Sequence, residues 1–473
     1  MRMTTKTGIA FILWSAALQS PGQSIDPGLP KEDRSYKLLR ENEDWGFLAD
    51  PALHLDSWDS LKYIRLRPDN NTWYLTIGGE VREEWERIGN DNWGQQPLMN
   101  GYLLQRYMLH VDTRYGRYFR TFVQLKSGLE LFRAGGPRPI DEKKLDFLAA
   151  FLEFGTSGDQ NWLKFRVGRQ ELNYGSGRLV SVREGPNVRQ SFDGAKIRSK
   201  FGAWSVDVFA VRPDLDKPGF FDNAPDHKTA FWGIYSTRPL TKVISVDFYY
   251  LGQDRKQATF DRGTAHEVRQ SIGVRLWRLS SPQRRGWDFD DEAVWQFGSF
   301  GAASIRAWTV ASDTGYSLAN ARLKPRFSMK ADISSGDNPK SHSLGTFNPI
   351  YPIGNYFGVI ASTGPGPVNF IDVHPRVQTQ MPHGVTISTD WVLQWRESLL
   401  DGVYAVPGFL IRKAGDSDAR FVGHRPGIEV RWQADRHLWF QADYGIFFAG
   451  TFLKDTMPGR NLNYAAAQVG YKF

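Results

Sequence analysis

Basic residues are concentrated in one stretch of the sequence, which runs from Lys164 to Lys200. Its basic members are Lys164, Arg166, Arg169, Arg178, Arg183, Arg189, Lys196, Arg198 and Lys200, and its acidic members are Glu171, Glu184 and Asp193. Bases therefore outnumber acids about threefold. The guanidinium group of arginine is a planar fork that holds a carboxylate by two-point contact, and rings of basic side chains select anions in pores. The stretch predicts a site for carboxylate-bearing ligands.

Other basic residues fall on the same face of the predicted strands described below. Two interpretations of this face stay open. The bases pair with acids such as Glu153 and Asp247 to brace the wall of a wide lumen, or they form a track for a polyanion. The candidate substrate-binding residues are Arg106, Arg120, Lys164, Arg166, Arg169, Arg178, Arg189, Lys196, Arg198, Arg269, Arg275, Arg326, Arg396 and Arg431.

Signals for catalysis or metal binding are weak. Gly175-Ser176-Gly177 is not the Gly-x-Ser-x-Gly nucleophile elbow of hydrolases. The nine histidines show no spacing typical of metal ligands, and the acids Asp290 and Asp291 point to opposite faces of a strand. We therefore predict no enzyme, no metal and no cofactor, with a barrel lipase as the weaker alternative.

The elements that must position the basic residues are β-strands. No segment approaches the roughly 18 to 20 consecutive apolar residues of a spanning helix, and the mean hydropathy is -0.45. Segments of roughly 9 to 13 residues suit strands that cross a bilayer at a tilt. The predicted strands are 73–87, 101–115, 119–127, 146–154, 162–172, 192–200, 204–211, 227–237, 245–254, 267–277, 287–298, 301–314, 324–334, 369–381, 385–396, 421–434, 438–450 and 462–473. Their number, about 18, is even, as in single-chain bacterial barrels.

Side-chain parity predicts which face of each strand points inward. In 101–115, Arg106 and Asp112 share one face, and Leu109 and Val111 share the other. A barrel of 16 to 18 strands encloses an aqueous channel, so the polar faces must line the lumen and the apolar faces must contact lipid. The fold class is thus an all-β transmembrane antiparallel barrel. Because its positive residues lie in a channel, we predict no binding to nucleic acid despite a formal net charge of +8.

The connections between strands alternate in length, as they do in barrels with short periplasmic turns and long external loops. Short turns at 116–118, 201–203, 382–384 and 435–437 alternate with long connections at 128–145, 173–191, 335–368 and 397–420. One connection, Ser299-Phe300, is too short for an external loop and does not fit. The loop 173–191 is rich in Gly and Asn, which favour tight turns, and we expect it to fold into the pore and constrict it.

The two ends of the chain carry separate expectations. Residues 1–24 read as a secretory signal peptide with a short apolar core, 25–72 as a loosely docked or plug-like lead-in, and 73–473 as the barrel. Alternation places Val469, Tyr471 and Phe473 on one face of the last strand. That strand is expected to pair with the first one and close the barrel. A soluble all-β protein with a trimmed last strand is the alternative.

Several motifs resemble the alginate-export family of outer-membrane barrels, over about residues 45–473. They are Gly101-Tyr102-Leu103-Leu104-Gln105-Arg106-Tyr107, Phe122-Val123-Gln124-Leu125-Lys126-Ser127, Gly168-Arg169-Gln170-Glu171-Leu172, Gly185-Pro186-Asn187-Val188-Arg189, Phe192-Asp193-Gly194-Ala195, Ser312-Asp313-Thr314-Gly315-Tyr316, Gly345-Thr346-Phe347-Asn348-Pro349 and Gly354-Asn355-Tyr356-Phe357-Gly358. The resemblance implies an 18-stranded barrel and a lumen lined by positive charge that passes a polyuronate outward. These motifs are specific for the family and not for the substrate.

Taken together, sequence and resemblance predict a channel in the bacterial outer membrane for an anionic polysaccharide or oligosaccharide, an alginate-like polyuronate, and the resemblance favours export. A general anion-selective porin for uptake and a structural or adhesive barrel remain alternatives. The expected partners are the anionic substrate, outer-membrane lipid and the assembly machinery that would recognise Phe473, with the barrel acting as a monomer. The direction of transport and the identity of the polymer stay open.

Overall fold

The alternating segments of the sequence form the wall of a closed antiparallel barrel. A computed structural model describes residues 33–96, 99–158, 161–281, 284–357 and 364–473. The predicted signal peptide and residues 25–32 lie outside this range. The described residues contain eighteen wall strands: β1 (Asn70–Gly89), β2 (Met99–Tyr115), β3 (Phe119–Leu131), β4 (Lys143–Gly155), β5 (Asn161–Gln170), β6 (Phe192–Phe201), β7 (Trp204–Leu215), β8 (Thr229–Pro239), β9 (Ser245–Phe260), β10 (Gly263–Arg278), β11 (Gly286–Phe300), β12 (Ala303–Ser317), β13 (Arg326–Ser334), β14 (Phe370–Met381), β15 (Val385–Trp395), β16 (Phe421–Gln433), β17 (Leu438–Ala449) and β18 (Leu462–Lys472).

The last strand closes the barrel against the first, as its alternation predicts. β18 pairs with β1 from Gly89 opposite Asn463 to Glu80 opposite Lys472. Beyond the register, the Gly79 and Phe473 backbones exchange two hydrogen bonds of 2.8 and 3.0 Å. Closure pairs every edge, which the hydrocarbon core of a bilayer requires because it offers no water to unpaired backbone groups. Among the described residues, no helix is long and apolar enough to cross a membrane.

The outer face carries apolar side chains and bands of aromatic rings. Leu109, Val167 and Trp391 are about half exposed there. Rings meet in pairs near the short turns, namely Trp73 with Tyr115, Tyr115 with Phe119, Phe154 with Phe165, Trp204 with Phe248, Trp287 with Tyr316, and Trp432 with Phe440. A second group, near the long loops, includes Trp391, His424 and Phe448. Such girdles mark the two membrane interfaces of outer-membrane barrels.

The alternation of short and long connections fails at two places. Asp261-Arg262 alone joins β9 to β10, where a long loop was expected, and Gly301-Ala302 joins β11 to β12. The long connection 335–369, which we call the cover loop, takes the place of the long loop that is missing at Asp261-Arg262. Arg262 forms an ion pair of 2.7 Å with Asp337 in this loop. Its strand Ser343–Leu344 also pairs in parallel with the start of β12.

The inner face of β7 to β12 is more apolar than parity alone predicts. The connection 171–191, which we call the inner loop, folds into the lumen as expected and meets the cover loop, where Ser181 N–H donates to the Tyr351 carbonyl at 2.9 Å. Tyr351 packs edge-on against Phe192 and Phe231 of the wall. The prediction of a wholly polar, aqueous lumen is therefore wrong for the part of the lumen beside β7 to β12, because the inner loop and the cover loop fill that part with an apolar core.

The lead-in is packed against the barrel and not loosely docked. We call residues 33–63 the lead-in segment. Its Trp45 and Leu48 are buried against Tyr63 and Tyr74, and Arg40 donates to the carbonyls of Gly79 and Phe473 at 2.8 and 2.9 Å. Its helical turns are Arg40–Asn42, Gly46–Ala49, Pro51–Leu53 and Asp59–Lys62, and the strand Ile64–Arg67 that follows pairs antiparallel with the start of β1. The segment enters from the end of the barrel that carries the short turns, which we call the turn end.

The remaining short elements belong to the connections. Helices lie at Asp91–Gly94, Gly354–Phe357, Pro382–Gly384 and Thr451–Asp455, and short strands at Ala224–Pro225, Val403–Tyr404 and Leu410–Arg412. Arg412 joins three long connections, since it donates to the carbonyls of Asn92, Thr456 and Pro458. The end opposite the turn end is covered by these loops.

Candidate anion-binding site in the lumen

Four basic side chains form a square on the inner face of β5 and β6. The register places Lys164 opposite Arg198 and Arg166 opposite Lys196. Like charges directly opposite each other destabilise a sheet, so this arrangement requires anions nearby. We call these four residues together with Arg120 on β3 the basic cluster.

Two carboxylates supply the negative charge in this structure. Glu153, opposite Arg166 on β4, lies 2.7 Å from the Arg166 guanidinium, 3.5 Å from the Lys164 ammonium and 3.6 Å from the Arg198 guanidinium. Glu41, which belongs to the lead-in segment, forms an ion pair with the other end of the Arg166 guanidinium. Glu153 and Glu41 thus lie among five basic groups, while Asp112 pairs with Arg120 at 2.6 Å and Asp207 on β7 lies opposite Arg198.

Glu41 is charged although it is buried. Burial alone would raise the pKa of its carboxyl group, but the positive charges of Arg166, Lys196 and Arg120 and the hydrogen bond from Arg166 hold the pKa below its usual value. The Glu41 backbone carbonyl also accepts a hydrogen bond of 2.8 Å from Arg120. A carboxylate is thus stable at this position even away from bulk water.

A cavity of about 440 Å³ lies beside the cluster at the turn end. Arg120, Lys164 and Glu153 line it, so the cavity and the cluster share residues. Arg114 and Arg117 add two further bases to its wall, and the lead-in segment contributes one side of it. Its volume lies within the roughly 300 to 1,000 Å³ of small-molecule sites. The geometry gives a ligand of moderate size access to the basic cluster from this end.

Five other candidate residues hold loops. In the inner loop, Arg178 reaches the far wall and pairs with Glu292 at 3.0 Å, while Arg189 donates to the Leu38 carbonyl at 3.0 Å. Arg106 on β2 grips the inner loop through Glu184 at 2.6 Å. Arg269 donates to the Thr346 carbonyl of the cover loop, and Arg396 donates to carbonyls of the connection 396–420, including that of Ala419 at 3.0 Å.

Three more candidates brace the wall. Arg169 pairs with Asp193, Arg275 with Asp247 and Asp290, and Arg326 with Asp288 and Asp313. The last candidate, Arg431 on β16, is exposed in the lumen and stacks on Trp439 with its guanidinium 4.8 Å from the ring centroid. The structure therefore brings five of the fourteen candidates into one cluster and gives most of the others a partner in a loop or the wall.

The sequence analysis missed the acids that the lead-in segment brings to the site. Besides Glu41, Asp44 pairs with Arg114 at 2.8 Å, and the Glu43 carbonyl accepts from the same arginine at 2.6 Å. No periodic pattern around Glu41 marks it as a lumen residue. Its place in the site becomes visible only in the structure, because its partners Arg120 and Arg166 lie far from it in the sequence.

Comparison with known families decides which kind of barrel this is. The sequence profile of the family described as alginate export matches residues 73–468, which is most of the chain. The chain belongs to the alginate export family. No characterised sequence that was compared with the chain is significantly similar to it.

Several crystal structures of Pseudomonas aeruginosa proteins share the fold of this alginate export barrel. OccK5 (OpdH) gives a TM-score of 0.55 at 14% identity and covers 84% of this chain and 98% of that one. OccD3 (OpdP) gives 0.58 at 11% identity, with 88% and 93% covered, and OccK8 (OprE) gives 0.58 at 10%, with 84% and 98% covered. The barrel is thus an outer-membrane channel of the bacterial cell, and its family and fold are those of a channel and not of an enzyme.

Proposed function

We propose that the barrel conducts an anionic polysaccharide or oligosaccharide, a polyuronate of the alginate type, outward across the membrane. The observation that carries the proposal is the basic cluster, where four cations face each other in pairs on β5 and β6 and adjoin a cavity at the turn end. Short turns are periplasmic in outer-membrane barrels, so this cavity faces the compartment from which an exported polymer arrives. The proposal assigns a single barrel and no catalytic activity.

The test removes the charges of Arg166, Lys196 and Arg198 by changing all three to Ala. Reconstituted channels are expected to lose their anion preference and to be blocked less by uronate oligomers. The effect should shrink at high salt, because the Debye length falls from about 10 Å at 0.1 M to about 3 Å at 1 M. Reversal potentials in a salt gradient and the half-blocking concentration of oligouronate are the measurements.

Two further variants keep this test interpretable. Changing Lys242, Arg322 and Lys324 to Ala removes the same charge from exposed residues in turns and should leave selectivity and block unchanged. If the triple variant assembles poorly, changing the half-buried pair Lys164 and Arg198 to Gln removes two charges of the cluster and leaves Arg166 and Lys196 in place. An unchanged permeability ratio and unchanged block at low salt in both cluster variants would leave bracing as the role of these residues.

A general anion-selective porin for uptake is the second candidate, since a passive pore follows the gradient of its solute. The low identity to the solved structures leaves this open. Cells that carry the barrel are expected to release more polyuronate than cells without it, while growth on small anionic sugars should not change. Faster growth without greater release would favour uptake.

A further inference from the structure

We infer that the lead-in segment occupies the carboxylate sites of the polyanion track, with Glu41 and Asp44 in the places that uronate carboxylates take during transport. The inference rests on the proposed function. It assigns a carboxylate site at Arg166, filled by the protein's own acid, and a second at Arg114. Substrate must displace both acids to pass.

The first support is the match between the segment and the wall. Four arginines direct their guanidinium groups to residues 38–44, and none of these four belongs to the segment. Arg166 pairs with the Glu41 carboxylate and Arg114 with the Asp44 carboxylate. Arg120 donates to the Glu41 carbonyl, and Arg189 of the inner loop donates to the Leu38 carbonyl. A short acidic stretch of chain thus makes the contacts that a carboxylate-bearing and oxygen-rich polymer offers.

The second support is the charge pattern of the wall itself. The Lys164–Arg198 and Arg166–Lys196 pairs repel each other across β5 and β6, and these four bases face two acids of the wall, Glu153 opposite Arg166 and Asp207 opposite Arg198. A wall built only for bracing would place one acid opposite each base, as β10 and its neighbours do around Arg275. Around Arg166 the deficit is met by Glu41, which comes from a separate segment.

The third support is access. The cavity of about 440 Å³ is lined by Asp44, Gly46 and Ala49 of the segment and by Arg120 and Glu153 of the wall. A ligand in this cavity therefore contacts the Asp44 side of the segment and the residues that surround Glu41. Asp44 is largely exposed, with 68% of its side chain accessible, whereas the Glu41 side chain is 3% accessible. A uronate chain that approaches from the turn end meets Asp44 first and Glu41 second.

The experiment compares block by uronate oligomers at low salt in four variants of the full chain. Glu41→Ala leaves the Arg166 guanidinium without its Glu41 carboxylate and vacates the space of that side chain. The half-blocking concentration is expected to fall by about tenfold or more, because the apparent affinity of a site is its intrinsic affinity multiplied by the fraction of channels in which the site is unoccupied. Glu41→Gln keeps the shape and a hydrogen bond to Arg166 and should give a smaller fall. Asp44→Asn should also give a smaller fall because Asp44 is exposed. The control is Asp33→Asn, which removes the same charge from an exposed residue whose partners among the described residues are Ser35 and Lys37.

The outcomes separate the two proposals. A lower half-blocking concentration in Glu41→Ala, with Asp33→Asn unchanged, supports the inference. Block of equal strength in wild type, Glu41→Ala and Glu41→Gln overturns it and leaves the proposed function standing. Absence of block in every variant, including wild type, is the failure of the proposed function itself, and the inference then falls with it.

Discussion

At the scale of single residues, Lys62 makes docking of the lead-in segment depend on pH. Its ammonium donates to the Ile77 carbonyl at 3.1 Å and lies over the rings of Tyr36, Trp45 and Phe473. Burial, followed by the nearby charge of Arg40, lowers the pKa of Lys62 from 10.5 to about 7. Between these values the docked form binds fewer protons than the free segment, so docking should tighten as pH rises, by at most about 1.4 kcal/mol per pH unit. Below pH 7 both forms are protonated and Lys62 adds no further change.

The measurement uses the absence of cysteine from the chain. Leu48→Cys places one thiol at a buried position of the segment, and its labelling by a water-soluble reagent reports undocking. The same variant with Lys62→Met supplies the control, because it shares the pH dependence of the thiol chemistry. Equal labelling ratios of the two proteins at pH 7 and pH 9 would contradict the role given to Lys62.

A second residue-scale prediction distinguishes bracing from transport. Arg275 pairs with two acids of the neighbouring wall strands, Asp247 at 2.9 Å and Asp290 at 2.6 Å. Arg275→Ala leaves two acids without their cation and should lower the free energy of unfolding in lipid vesicles by about 3 to 5 kcal/mol, while block by uronate stays as in wild type. Weaker block without loss of stability would place Arg275 in the track.

At the scale of elements, the two faces of a strand should respond in opposite ways to charge. Ile428 on β16 points outward between Trp432 and His424 of the two aromatic groups, so Ile428→Arg should cost roughly 2 to 4 kcal/mol of folding free energy. Arg431→Gln on the inner face should cost little, since Arg431 is exposed in the lumen and contacts Trp439 only by stacking. Folding titrations in lipid vesicles that gave the reverse order would invert the assignment of faces.

Strands were predictable from the sequence because alternation is a local property, and all eighteen predicted strands overlap those of the structure. The tight connection Asp261-Arg262 was not predictable from the sequence. The residues on either side of it fit a polar loop as well as they fit the strands that they form. The partners of lumen arginines were predictable as a class and not as pairs. Whether Arg106 meets Glu80 on the wall at 3.8 Å or Glu184 in the inner loop at 2.6 Å depends on how loops fold back, which no local pattern encodes.

At the scale of the whole molecule, the C-terminal residue joins closure of the barrel to docking of the lead-in segment. Side-chain parity predicted the closing strand. Docking of the lead-in segment was not predictable, because its contacts with Phe473 join residues that are hundreds of positions apart. The Phe473 ring stacks on Trp58 at 4.5 Å, and its backbone carbonyl accepts from both Gly79 N–H and Arg40. Closure must therefore come before the segment can dock, since Phe473 and Gly79 form its receiving surface only when β1 and β18 are paired.

Deletion of Phe473 should thus impair assembly in the outer membrane, and leave a degraded or heat-labile species. Its two backbone hydrogen bonds with Gly79 extend the closing register beyond Lys472, so the deletion weakens the seam between β1 and β18. Trp58→Ala is the matched control, because it removes the stacking partner of Phe473 but keeps the hydrogen bonds between Phe473 and Gly79, so it should loosen the segment and leave the surface yield unchanged. Heat-modifiable migration on gels and surface labelling measure both effects. Equal yields of the deletion variant and wild type would exclude a role of Phe473 in closure, whereas equal loss in both variants would mean that docking of the segment limits assembly.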